Sequence, residues 1–164
     1  MKAKKITLLM MAVAMLALTV VPVFANGVPH DYKSKLWAGR DHKEVGLVLV
    51  DWIDDDTIRI IYETKDGCYL IETHLAVATC LNDIPQTNSG NPKIGHFPYS
   101  TEYSPPVTED TYYVDVEGEG PFYIAAHAVV RCGCRCETAW AQGCNAHGFP
   151  GRSWALYFIF DVPP

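Results

Sequence analysis

Positive charge is scarce in this 164-residue chain: 13 Lys and Arg stand against 19 Asp and Glu, and Lys2, Lys4 and Lys5 all fall at the very start. Residues 1–25 hold those three lysines and no acid, so the other 139 residues carry ten basic groups against nineteen acidic ones, a formal charge of −9. That balance argues against a nucleic-acid ligand, because phosphate backbones are held by clustered Lys and Arg. Serine is also sparse: Ser34, Ser89, Ser100, Ser104 and Ser153 are the only ones after residue 25, and none sits in a G-x-S-x-G elbow. No H-E-x-x-H zinc helix, no Gly-rich phosphate loop after a strand and no C-x-x-C-H haem attachment sequence occurs. Sustained 3.6-residue apolar periodicity is missing as well, which points away from a parallel sheet with crossover helices.

What is present at the start is an export pattern. Lys2, Lys4 and Lys5 precede an apolar run from Ile6 to Val21, and Val23-Phe24-Ala25 supplies a small-residue cleavage site. The run is shorter than the ~20 residues a bilayer span requires. Residues 1–25 are therefore expected to be a signal peptide, and residues 26–164 one exported, acidic domain with no membrane insertion after cleavage. At that length a single core is expected, able to bury roughly two-thirds of the unfolded surface.

Along residues 26–164, period-two apolar patterns dominate. Glu44 to Trp52 and Thr57 to Thr64 read as strands joined at an Asp54-Asp55-Asp56 turn, and Cys68 to Thr79 reads as a strand after an Asp66-Gly67 turn. Asn82 to Pro106, with five prolines, reads as a long ordered loop pinned by Phe97, Tyr99 and Tyr103. Thr111 to Val116 and Phe122 to Arg131 flank a Gly118-Glu119-Gly120-Pro121 turn and read as a second hairpin, with a last strand over Ser153 to Val162. The expected fold is all-β, an antiparallel β-sandwich with one long Pro/Gly-rich loop and disulfides.

Six cysteines, Cys68, Cys80, Cys132, Cys134, Cys136 and Cys144, lie in the exported part, an even number that favours disulfides. Fifteen pairings are open. If Cys68 to Cys80 is one strand, its ends are roughly 40 Å apart, so a bridge between them requires a bend. In an extended strand, Cys132, Cys134 and Cys136 all face one side, and a soft-metal cluster of zinc or copper is the alternative to oxidation.

Glu72 and His74 share a face of one strand, and His127 sits in the apolar run Ile124 to Val130, with Glu137 shortly after. Together these four are expected to form either a buried polar network or a divalent-metal set. Asp51, Asp54, Asp55 and Asp56 have the composition of a calcium loop but not the EF-hand spacing, and a solvated turn accounts for them. Trp37, Trp52, Trp140 and Trp154 with nine tyrosines offer either core filling or a stacking platform for sugars and protein partners.

The strings W-A-G at Trp37, E-T-H-L-A-V from Glu72, G-N-P-K-I-G-H-F-P-Y from Gly90, A-A-H-A-V-V from Ala125, E-T-A-W-A from Glu137 and W-A-L-Y-F from Trp154 run the length of the exported part. In their order this chain resembles a family of secreted or cell-surface domains found in archaea and bacteria. The resemblance implies a compact extracellular β-sandwich, often a module of larger surface proteins, and carries over no catalytic residue. C-G-C-R-C is not part of that pattern. Three functions are thus expected in descending order: a non-catalytic structural or adhesive domain meeting itself or an extracellular protein or glycan, a secreted zinc, copper or calcium binder, and a small hydrolase working through Glu72 or Glu137.

Overall fold

The computed structural model describes residues 30–39, 41–118, 120–143 and 146–161. The expected export segment and Cys144 lie outside the described residues. Among the described residues there are ten strands: β1 (Tyr32–Ala38), β2 (Lys43–Asp54), β3 (Thr57–Thr64), β4 (Cys68–Ala78), β5 (Tyr99–Val107), β6 (Glu109–Asp115), β7 (Phe122–Cys132), β8 (Arg135–Gln142), β9 (Ala146–Gly148) and β10 (Leu156–Phe160). All pair antiparallel in one sheet of order β5-β4-β7-β8-β1-β2-β3-β6, with β10 joining β7 beyond the end of β8 and β9 joining β10. The fold is all-β, as the alternation implied. The expected sandwich is corrected to one strongly curled sheet, nearly closed as a barrel, rather than two clearly separate sheets.

Closure follows from the two ends of the sheet. Thr101 on β5 accepts a hydrogen bond from Tyr112 on β6 at 2.9 Å, and the buried Thr73 hydroxyl donates to Asp110 Oδ2 at 2.6 Å while meeting the Tyr112 hydroxyl at 2.7 Å. These side chains close the seam where a backbone ladder would otherwise run. Burial first, and then the neighbouring Asp110 carboxylate, push the Tyr103 phenol well above its ordinary range. Inside the barrel, Leu36, Val48, Ile58, Ile60, Leu70, Ile124, Phe158 and Phe160 are buried together. Each large side chain buried there contributes about 1.5–3 kcal/mol.

A second core lies on the outer face of β4, β7 and β8. Ala76, Ala125 and Trp140 on the sheet pack against Ile84 and Phe97 of the Pro-rich segment and against Phe149, Ala155 and Tyr157 near the C-terminus. The aromatics expected to pin the long segment do so differently from one another. Phe97 enters this outer core, whereas Tyr99 and Tyr103 pack against the barrel interior.

Three local expectations are corrected. Tyr99 to Pro106 belongs not to a loop but to β5, an edge strand. Its ladder to β4 skips from Glu102 to Val107 at a bulge, so Pro105 and Pro106 interrupt no backbone pairing. The second expected hairpin does not form: β6 pairs along its length with β3, while β7 pairs with β4, β8 and β10. Gly118 and Gly120, both at positive φ, redirect the chain there, and a turn sequence sets local direction rather than the pairing partner. Finally, Cys132 to Cys136 is not one extended run. Cys132 pairs with Arg135, so Gly133 and Cys134 are the two loop residues of the β7–β8 hairpin. Gly133 takes φ +62° at the first central position, as a type II′ turn demands. β1, β8 and the short β9 had no counterpart in the expected strand set.

Cys68 is joined to Cys132, its directly opposite neighbour on β7, across 64 residues of sequence. Cys80, Cys134 and Cys136 are free and exposed, which corrects the expectation of bridging throughout among the described residues. Chain-entropy arithmetic for a loop of that length gives roughly 4 kcal/mol. Replacing both Cys68 and Cys132 by Ser is expected to lower the urea midpoint by an amount equivalent to about 2–4 kcal/mol, and an unreduced digest of the native protein is expected to yield the 68–132 linked peptide. A midpoint shift below about 1 kcal/mol would show that the bridge contributes little to stability.

Candidate functional site

Strand register lines up the chemistry-bearing residues on the outer face. His74 on β4 lies directly opposite His127 on β7, His127 opposite Trp140 on β8, and Trp140 opposite Trp37 on β1. Ser100 on β5 and Glu44 on β2 extend the same row at its two ends. These residues share a face because each alternates with interior neighbours such as Leu75, Ala126, Ala128 and Ala139. The imidazole centroids of His74 and His127 are 5.6 Å apart, and the His127 ring lies 4.8 Å from the Trp140 ring.

The polar accounting along this row is uneven. Glu72 Oε1 accepts a 2.5 Å hydrogen bond from His74 Nε2, and the His74 backbone carbonyl accepts one from the buried Tyr62 hydroxyl at 2.9 Å. His74 Nδ1 and both ring nitrogens of His127 are buried with no hydrogen-bond partner among the described residues. His127 is 3% exposed. Burial first, and then the neighbouring His74, depress its pKa to about 3, so the ring is neutral at ordinary pH. Unpaired buried polar groups cost roughly 1–3 kcal/mol each.

Of the four residues expected to form one polar network, Glu72, His74 and His127 are brought together. Glu137 is not, and that part of the expectation is corrected. On β8 it lies opposite Val130 of β7 and lines a separate charged depression of about 580 Å³ with Asp41, Lys43, Arg135 and Cys132. β8 turns it to the opposite face from Trp140, so Glu72 and Glu137 cannot serve one reacting centre. Among the described residues, no three His, Cys, Asp or Glu side chains are grouped as a metal would need.

The acidic group also divides. Asp51 accepts bonds from Arg59 Nε and Nη2 at 3.0 and 2.6 Å and from His30 Nδ1 at 2.7 Å. Burial pushes its carboxyl up, but the Arg59 and His30 bonds outweigh that and hold it below the usual range. Asp54, Asp55 and Asp56 form the exposed turn of the β2–β3 hairpin.

Beside the histidine row, between the sheet and the segments that cover it, lies a cavity of about 200 Å³. His127, Thr138 and Trp140 form its sheet wall, while Asn91, Pro92, Ile94, Ser153, Trp154 and Ala155 form the cover. Asn91 Oδ1 accepts the Ser153 amide at 3.0 Å and ties the two covering segments together. Gly151 is required here, because a Cβ on it would fall 2.0 Å from Asn91 Oδ1. Outside the cavity, Trp154 meets His42 edge-on at 5.9 Å and His42 meets Trp37 at 6.2 Å, giving an aromatic rim. Sequence reasoning named His127 and the tryptophans separately but missed the part of Asn91, Thr138 and Ser153, which no spacing in the chain reveals.

The chain matches no protein-family model, no curated protein and no solved structure.

Because His127 protonates far more readily unfolded than folded, the unfolded state binds the extra proton as pH falls. Stability is therefore expected to drop from about pH 6.5 towards about pH 3, by up to about 1.4 kcal/mol per pH unit. Urea unfolding at pH 7 and pH 5 checks this, and the His127→Gln variant is expected to show a smaller difference. An equal difference in both proteins would assign the effect to other groups.

Proposed function

We propose that the protein is a secreted, non-catalytic binding domain that meets an extracellular glycan or protein surface. The observation that carries this reading is the aromatic rim of Trp37, His42 and Trp154, set over a partly enclosed cavity walled by Trp140 and His127. Indole faces give large, rigid contact area at low conformational cost, and a half-exposed aromatic set of this kind suits recognition of a partner surface. The export pattern at the N-terminus, the acidic surface and the Cys68–Cys132 bridge support an extracellular setting. So does the motif order that resembles secreted surface domains. Binding through the cavity and rim is favoured over strand addition at a sheet edge, because β5 and β6 turn towards each other and share side-chain hydrogen bonds across the seam.

A second reading, a secreted metal binder, draws on one observation. His74 and His127 stand side by side with three unpartnered ring nitrogens, and Glu72 bonds His74 in the way a carboxylate orients a ligating imidazole. After dialysis against zinc and copper, retention of one equivalent that His127→Gln abolishes would establish it. Retention below about a tenth of an equivalent would remove it.

For the principal reading, the mature protein is expected to be retained on insoluble polysaccharides or on cell surfaces in a co-sedimentation assay. Trp37→Ala, at a half-exposed position, is expected to weaken retention roughly tenfold with the fold intact by circular dichroism. Failure to be retained on any glycan or protein surface would overturn the reading.

A further inference from the structure

We propose that the cavity over His127 is a binding site for one neutral, hydroxylated ring, such as a terminal sugar residue; this rests on the reading of the protein as an extracellular binding domain and gives that reading its ligand class. The lining decides the chemistry. No Lys, Arg, Asp or Glu contributes to the cavity wall, in contrast to the neighbouring depression, which has Asp41, Lys43, Arg135 and Glu137. A phosphate, a carboxylate or a cationic ligand would therefore meet no counter-charge, and taking a charge out of water without a partner is costly. A neutral ligand avoids that cost.

Two further features narrow the ligand. Trp140 from the sheet and Trp154 from the cover both line the cavity, and indole surface packs against the C–H face of a sugar ring. The same lining carries groups that hydrogen-bond hydroxyls: the Thr138 and Ser153 hydroxyls and the His127 imidazole. Among the described residues neither His127 nitrogen has a partner, so a ligand hydroxyl that bonds one of them supplies a hydrogen bond the fold leaves unmade. The volume of about 200 Å³ is below that of drug-sized pockets, which start near about 300 Å³. One ring fits, with the rest of a chain running out over the Trp37 and His42 rim.

The placement also explains the cover. Asn91 reaches across to the Ser153 amide, and the Gly90 carbonyl accepts the Gly151 amide at 3.1 Å, so both covering segments are held to each other rather than only to the sheet.

The test is a tryptophan-fluorescence titration of the mature protein with the methyl glycosides of glucose, galactose, mannose and N-acetylglucosamine, with glucuronic acid and glucose 6-phosphate as charged controls. At least one neutral glycoside is expected to saturate with a Kd of about 0.1 to 10 mM, the charged compounds binding at least about tenfold more weakly. Thr138→Arg, at an exposed position on the cavity wall, is expected to abolish saturation while leaving the thermal midpoint unchanged. His127→Gln is expected to weaken it about tenfold or more, and if that variant does not fold, Ser153→Arg takes its place. Equal or tighter binding of the charged compounds, or saturation unaffected by Thr138→Arg, would overturn the proposal. If no neutral glycoside saturates below about 100 mM while the protein is still retained on surfaces, the cavity proposal fails and the binding-domain reading survives. If retention is lost as well, both fail.

Discussion

β7 is covered on both faces, and the rest of the structure is arranged around that constraint. Its even-numbered residues Phe122, Ile124, Ala126, Ala128 and Val130 face the barrel interior, while Tyr123, Ala125 and His127 face the outer core. From Phe122 to Ala128 a polar side chain on this strand has little access to water on either side. Alanine at 125, 126 and 128 brings neighbouring layers close, and the large rings of Phe97, Trp140 and Phe149 fill the space above the outer alanine. The single ionisable side chain placed on this strand's buried stretch, His127, therefore loses its charge and its hydrogen bonds together.

Curling the sheet so that β4, β7 and β8 have an inside requires its two ends to meet, and they meet through side chains. Thr73, Thr101, Asp110 and Tyr112 form a short chain of hydroxyl and carboxylate contacts in place of a backbone ladder. The Cys68–Cys132 bridge fixes β4 to β7 at one end of that pair, near the β7–β8 turn. Ser34, buried inside the barrel with no partner for its hydroxyl among the described residues, has no physical account in the packing around it.

The outer face shows how a site arises from register. His74, His127, Trp140 and Trp37 are far apart along the chain, and each is unremarkable alone. Antiparallel pairing places them in one transverse row, and the covering segments convert part of that row into a cavity. The Pro-rich composition of residues 82–98 serves this cover: short 3-10 turns at Leu81–Asp83 and Ile94–His96 shape it, and Ile84 and Phe97 anchor it.

Much of the fold was legible in the chain. The alternation of Val, Ile and Leu in β2, β3 and β4, with Asp and Gly at their turns, specifies strands whatever they pair with, because period two follows from the backbone itself. The closeness of Glu72 to His74 was legible for the same reason. Pairing partners were not, since contacts such as β3 with β6 or β4 with β7 join segments whose proximity depends on the whole sheet. That is why β6 and β7 look like a hairpin and are not one, and why six cysteines left fifteen pairings open until Cys68 fell opposite Cys132. The chain by itself determined where strands run and which side chains share a face. Only the tertiary structure decided that Glu137 is turned away from His127 and that Asn91, Ser153 and Trp154 are folded over it, because sheet register and loop closure are non-local and are set by which buried faces fit together.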